Sequence, residues 1–187
     1  MTDPASSDPL SAALAGTELS LITLPTRAKC PVDLLHAVAA FDAGNRPAAL
    51  ATTRWLHECA LDEHGSARTY LWVAEGQAHG FFAVSVGLSR IEPETLATLE
   101  AGPRPLPAVL LAQAARSSET ERLAPGAVLT GALGIAERIS QYAGVGALML
   151  DPFDPPTSEM WRRRGFQPVL DAPPRGRERR LWRALGT

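Results

Sequence analysis

The sequence predicts an α/β domain with a mixed sheet, on three features. Arg68–Ala74 and Gly80–Val86 are two strand-like runs, rich in aromatic and β-branched residues, with the turn Glu75-Gly76-Gln77 close between them. Ala108–Ala115 and Gly144–Leu150 are continuous apolar runs, as in strands buried on both faces, although a short helix also fits the first. Between those runs lies Gly126–Ala143, where Val128, Leu129, Ala132, Leu133, Ala136 and Ile139 form one helical stripe. The first feature calls for an antiparallel pair and the other two for a β-α-β unit.

The remaining elements follow in chain order. Glu18–Leu24 alternates polar and apolar and reads as a first strand. Leu34–Ala40 reads as a short helix. Asp42, Gly44, Asn45 and Pro47 break the pattern before a second helix over Ala48–Leu61, and Asp62–Gly65 is a turn. Glu92–Leu106, with three prolines, is a connecting excursion, and Ser117–Pro125 is a polar loop. Asp154 caps a helix with Pro155 in its first turn; the helix runs through Met160 and Trp161 and stops at Gly165. Gln167–Leu170 and Arg180–Leu185 are two tail strands. Residues 1–17 read as a flexible leader and 18–187 as one domain.

A net charge of -2 argues against a dedicated nucleic-acid binder. Residues 1–16 carry neither early positive charge nor an apolar run, so no secretory signal is read there, and no stretch has the ~20 apolar residues of a membrane span. The expected location is cytoplasmic. Cys30 and Cys59 have no metal-ligand spacing; they read as two reduced, partly buried thiols, and sequence alone does not decide a disulfide. His36, His57, His64 and His79 are scattered without ligand spacing, so no metal is expected.

Five segments carry a resemblance. They are Phe41-Asp42-Ala43-Gly44-Asn45, Ala67-Arg68-Thr69-Tyr70, Gly80-Phe81-Phe82-Ala83-Val84, Leu106-Pro107-Ala108-Val109-Leu110-Leu111-Ala112 and Trp161-Arg162-Arg163-Arg164-Gly165-Phe166. In this order and spacing the chain from Phe41 to about Leu185 resembles the GNAT N-acetyltransferases, and more narrowly the GNAT toxins of bacterial toxin–antitoxin pairs. The resemblance implies acetyl-CoA as cofactor, with its pyrophosphate on backbone N–H groups of a loop that opens a helix. It implies an amine acceptor, in the toxin branch the amino group of an aminoacyl-tRNA. It also implies a second copy or a small antitoxin-like protein as partner.

Carried over residue by residue, strand backbone at Ala114, Ala115 and Arg116 would hold the pantetheine. Glu121, Arg122, Leu123, Ala124, Gly126 and Ala127 would form the pyrophosphate loop. The loop departs from the family pattern. Glu121 stands where Arg or Gln is usual, Ala124 replaces a glycine, and Pro125 has no N–H. Gln113 replaces an arginine, and Trp161 stands where the toxins have a tyrosine that protonates the leaving thiolate; indole is not a useful acid. No catalytic side chain is therefore assigned. The alternative function is a catalytically inactive GNAT-fold module that binds a protein partner or a CoA-like ligand.

Other residues are weighed toward packing or surface. Trp161 reads as core, Tyr142 as a packing residue, and His57 as structural. Ser117 and Ser118 have no visible activating base. The arginines 162, 163, 164, 175, 177, 179, 180 and 183 would suit tRNA phosphates, but a solvated surface is the commoner meaning of such a run.

Overall fold

The computed structural model describes residues 13–62, 65–89, 106–169 and 180–185. Seven strands form one mixed sheet: β1 (Ser20–Thr23), β2 (Arg68–Ala74), β3 (Gln77–Ser89), β4 (Leu106–Arg116), β5 (Ala147–Leu150), β6 (Gln167–Pro168) and β7 (Leu181–Ala184). Their order across the sheet is β1-β2-β3-β4-β5-β7-β6. Among the described residues the sheet is accompanied by the α-helices α1 (Val32–Ala39), α2 (Pro47–Cys59), α3 (Ala127–Ala143) and α4 (Pro155–Arg162), with a 3₁₀ turn at Arg27–Lys29. The expected elements within the described residues are present, with ends shifted by a few residues. The excursion after Ser89, His64, and arginines 175, 177 and 179 lie outside the described residues.

Backbone contacts divide the chain into two compact units, Met1–Ala83 with Gln113–Val128, and Val84–Ala112 with Leu129–Thr187. In the first unit β1 pairs antiparallel with β2, Ser20 opposite Val73 and Thr23 opposite Tyr70. The turn between β2 and β3 is two residues, Glu75 and Gly76, with φ of 50° and 74°. Both values are positive, the geometry of a type I′ hairpin, and glycine takes the second place without strain. Glu75 is held there by its N–H to the Gly16 carbonyl, 2.8 Å. Leu14 is buried and its carbonyl accepts from the Gly76 N–H, so residues 14–16 of the expected leader are packed against this hairpin.

The core of the first unit gathers Leu34, Ala37 and Val38 of α1, Leu56 of α2, Leu71 and Val73 of β2, and Phe81 of β3. Phe81 is its centre. Phe41 meets its ring edge to face at 5.3 Å, and Trp55 lies parallel to it at 6.2 Å. Fully burying such side chains contributes ~1.5–3 kcal/mol each.

In the second unit β4 and β5 are parallel, in register from Ala108 opposite Ala147 to Leu111 opposite Leu150. The ladder ends there, while β4 runs on to Arg116. The helix α3 connects the two strands, as the apolar runs and helical stripe required. β7 closes on β5 antiparallel, and just past that ladder Arg180 donates two hydrogen bonds to Asp151, 2.7 and 2.6 Å. Asp154 caps α4 by accepting from the Thr157 N–H at 2.8 Å, and Gly165, at φ 85°, ends the following turn as Phe166 N–H bonds back to the Trp161 carbonyl. Among the described residues no helix is long and apolar enough to cross a membrane.

Candidate functional site

The loop that leaves β4 lies within the first unit, and local chemistry fixes its course. The Ser117 N–H donates to the His79 carbonyl on β3 at 2.9 Å. The Ser118 N–H and hydroxyl both reach the Asp42 carbonyl, at 2.9 and 3.3 Å, which ties the loop to the segment between α1 and α2. Farther on, Leu123 turns inward and is buried, and its carbonyl accepts from the Arg116 guanidinium at 3.1 Å. Its seat is Gly80: a Cβ at that position would come within 2.4 Å of Leu123 Cδ2. Sequence reading placed Gly80 in a strand motif; the packing gives the reason a side chain is excluded there.

Arg122 is committed. Its guanidinium forms an ion pair with Glu75 at 2.6 Å and donates to the Thr17 carbonyl at 2.9 Å. Glu121, by contrast, is exposed. Gly126, at φ 91°, is the left-handed residue at the helix entry, and a Cβ on it would meet nothing within 4 Å. Ala124 has no such conformation: Glu75 is the sole non-glycine with positive φ among the described residues. The Ala127 N–H closes a turn onto the Ala124 carbonyl at 3.0 Å. Ala114 and Ala115 are half-buried in β4, Ala115 packing on the first unit's core, and Arg116 is exposed.

A cavity of about 540 Å³ opens beside this loop, within the same unit. Of the predicted loop residues, Glu121 and Arg122 line it, together with Thr120 and the buried His79. Ala114, Ala115, Arg116, Leu123, Ala124, Gly126 and Ala127 do not. His79 and Thr120 are functional candidates that sequence reading missed. A lone histidine with no spaced partner carries no signal, because its partner is distant in the chain.

The other candidates fall as follows. Trp161 is buried and meets Phe166 at 5.4 Å, a core role as expected. Tyr142 is 90% exposed, which overturns the packing role expected for it; it sits on the outer face of α3. His57 accepts a structural place, its Nε2 donating to the Phe41 carbonyl at 3.1 Å. Gln113 is met by the Thr52 hydroxyl at 3.1 Å, which joins α2 to β4. Both cysteines are free, Cys30 partly buried as expected and Cys59 exposed, contrary to expectation. Among the described residues no group of acidic, histidine or cysteine side chains could hold a metal. Arg163 pairs with Glu159, Arg164 with the Met160 carbonyl and Arg183 with the Arg164 carbonyl, so these arginines of the basic tail have local partners.

The residues partly fit the pyrophosphate of acetyl-CoA. The entry to α3 offers the positive end of a helix dipole, a glycine with open space beside it, and the Arg116 cation at the end of β4. The exposed Glu121 carboxylate opposes an anion, and Arg122 is neutralised by Glu75.

No family model and no curated protein matches the chain. Solved structures do. A tyrosine-to-phenylalanine mutant of KacT superposes with a TM-score of 0.69 at 16% identity, over 89% of this chain and 95% of that one. AtaT complexed with acetyl-methionyl-tRNAfMet gives 0.69 at 17%, over 89% and 95%. A mutant AtaT toxin bound to the C-terminus of the antitoxin AtaR and acetyl-CoA gives 0.64 at 16%, over 90% and 94%. Such identities speak for the fold, and by strand order, the parallel β4–β5 pair and these superpositions the chain has the GNAT fold in the form of the toxins KacT and AtaT.

Proposed function

We propose that the protein is an acetyl-CoA-dependent N-acetyltransferase acting on an amine, with the amino group of an aminoacyl-tRNA as the acceptor to test first. One observation carries the reading: β4 leaves its parallel ladder with β5 at Leu111, runs on to Arg116, and passes through the left-handed Gly126 into the first turn of α3. That course would lay strand backbone along an extended thioester arm and then bring the positive end of α3 to a pyrophosphate. The acetyl-CoA and acetylated-tRNA complexes of AtaT support cofactor and acceptor class.

When bound, acetyl-CoA supplies an activated acetyl thioester. The chain's part is to hold and orient. Backbone at Ala114–Arg116 would align the arm and polarise the carbonyl, and the positive end of α3, the open space beside Gly126 and the Arg116 cation would hold the phosphates. Attack by the amine's lone pair would form the C–N bond as the C–S bond breaks. The amine's proton would pass to solvent and water would return one to the thiolate, since Trp161, buried against Phe166, offers no acid. Such a protein would act in the cytoplasm, and by analogy with AtaT a small antitoxin-like protein is the proposed partner.

A second reading has its own support. The Glu121 carboxylate and the committed Arg122 weaken the cofactor loop, which suits an inactive GNAT-fold module that binds a protein or a CoA-like ligand. Calorimetry with acetyl-CoA, followed by turnover assays on charged tRNA and simple amines, separates the two. Binding with acetyl transfer is expected. No heat at millimolar acetyl-CoA would sink the enzyme reading in favour of the module.

A further inference from the structure

The cofactor loop is fastened to β3 by a buried polar chain that belongs to no motif. His79 is 5% exposed and Thr120 8%. His79 Nδ1 lies 2.7 Å from the Thr120 hydroxyl, and its Nε2 lies 3.3 Å from the Ala74 carbonyl. A carbonyl only accepts, so Nε2 carries the proton and Nδ1 accepts from the Thr120 O–H. The same Thr120 oxygen accepts from the Arg122 N–H at 3.2 Å. The chain thus runs in one direction, from Arg122 N–H to Thr120 to His79 to Ala74, with every buried donor and acceptor used. His79 also holds the loop by its backbone, through its carbonyl and the Ser117 N–H. A satisfied buried network is rigid, and breaking one member leaves the next unpaired.

We propose that His79 is a positioning residue for the cofactor loop, acting through Thr120 to hold Ser117–Arg122 in one conformation and so to present the entry of α3 to acetyl-CoA. The effect on acetyl-CoA rests on the acetyltransferase reading above; the ordering of the loop does not. The loop is polar, and its residues Ser118, Glu119, Glu121 and Arg122 are exposed. Apart from the Leu123 seat, little apolar burial holds it, so polar contacts decide its order.

The test uses the full chain and two readouts. Thr120→Val keeps the shape and removes the hydroxyl, which strands Nδ1 and the Arg122 N–H. Amide hydrogen exchange should then speed up about tenfold across Ser117–Arg122, while β2 and β4 exchange as in the wild type. Acetyl-CoA affinity should fall by about the same factor, since a loop that must be ordered on binding costs affinity. Thr120→Ser should restore both, which a role in packing alone would not allow, because serine lacks the methyl. His79→Gln should resemble Thr120→Val. Unchanged loop exchange in Thr120→Val overturns the proposal, as does faster exchange with undiminished acetyl-CoA affinity. A wild type that binds no acetyl-CoA overturns the acetyltransferase reading instead, and the exchange contrast still decides whether His79 orders the loop.

Discussion

Glu121 and Gly126 share one loop and make opposite demands on an anion. In the proposed cofactor site, Glu121→Gln removes a like charge beside the phosphates and should tighten acetyl-CoA about fivefold at low salt, with the gain shrinking as salt rises. Gly126→Ala puts a Cβ on a residue at φ 91°, where a left-handed L-residue costs ~1–2 kcal/mol, and should weaken binding or reshape the loop. Ala124→Gly should change little, since Ala124 is not held at positive φ. Titration calorimetry on the three variants checks all of this. Thr69 is a different case. Its hydroxyl is buried without a hydrogen-bond partner, so Thr69→Val should raise stability by ~1 kcal/mol in denaturant unfolding. The thiols also differ. Burial pushes the Cys30 thiol up, against a smaller lowering by Arg27, so at neutral pH it holds less thiolate than an ordinary cysteine. Cys59 is exposed and should react with iodoacetamide several-fold faster than Cys30, with the gap narrowing as pH rises and Cys30 ionises; mass spectrometry of timed samples reads both rates.

At the scale of elements, the β2–β3 hairpin and the loop after β4 depend on each other. Arg122 pairs with Glu75 in the hairpin turn, Thr120 bonds His79, and Leu123 fills the space above Gly80. Gly80→Ala would place its methyl 2.4 Å from Leu123 Cδ2 and 3.3 Å from the Ala115 carbonyl. Leu123 is 2% exposed, so its side chain has little room to turn aside. A loss of ~1–3 kcal/mol is expected, in the range of overpacked cores. Thermal unfolding measures it, and Leu123→Ala in the same background should recover part of the loss by making room. If Gly80→Ala unfolds like the wild type, the close seating of Leu123 is wrong.

At the scale of the whole molecule, a ligand that binds only the folded chain raises its melting temperature by mass action. Acetyl-CoA at a hundred times its Kd adds ~2.7 kcal/mol, or roughly 5–10 °C for a chain of this size. Coenzyme A should act similarly, and an adenosine phosphate lacking the pantetheine arm less. A flat melting temperature with all three would move the protein to the inactive-module reading.

The sequence by itself determined the elements and the class of sheet, because periodicity is local. The stripe of Val128, Leu129, Ala132, Leu133, Ala136 and Ile139 was the clearest helical pattern in the chain, and a helix is what forms there. The runs on either side of it read as strands, with a short helix still open for the first, and they pair in parallel across it, buried where Ala108–Leu111 meets Ala147–Leu150 except at Leu110. Motif order then brought the GNAT resemblance. Glycine and proline marked the turns, though the left-handed place at the loop fell on Gly126 and left Ala124 unstrained. What only the tertiary structure decided depends on pairs distant in the chain: His79 with Thr120, Gly80 with Leu123, Ser118 with Asp42, Arg122 with Glu75. Burial was likewise undecided for single residues on a helix. Tyr142 read as packing and lies outside because residues of α3 beside the stripe meet solvent. A residue's own identity fixes what it can donate, accept or bury, and the fold alone supplies the partner.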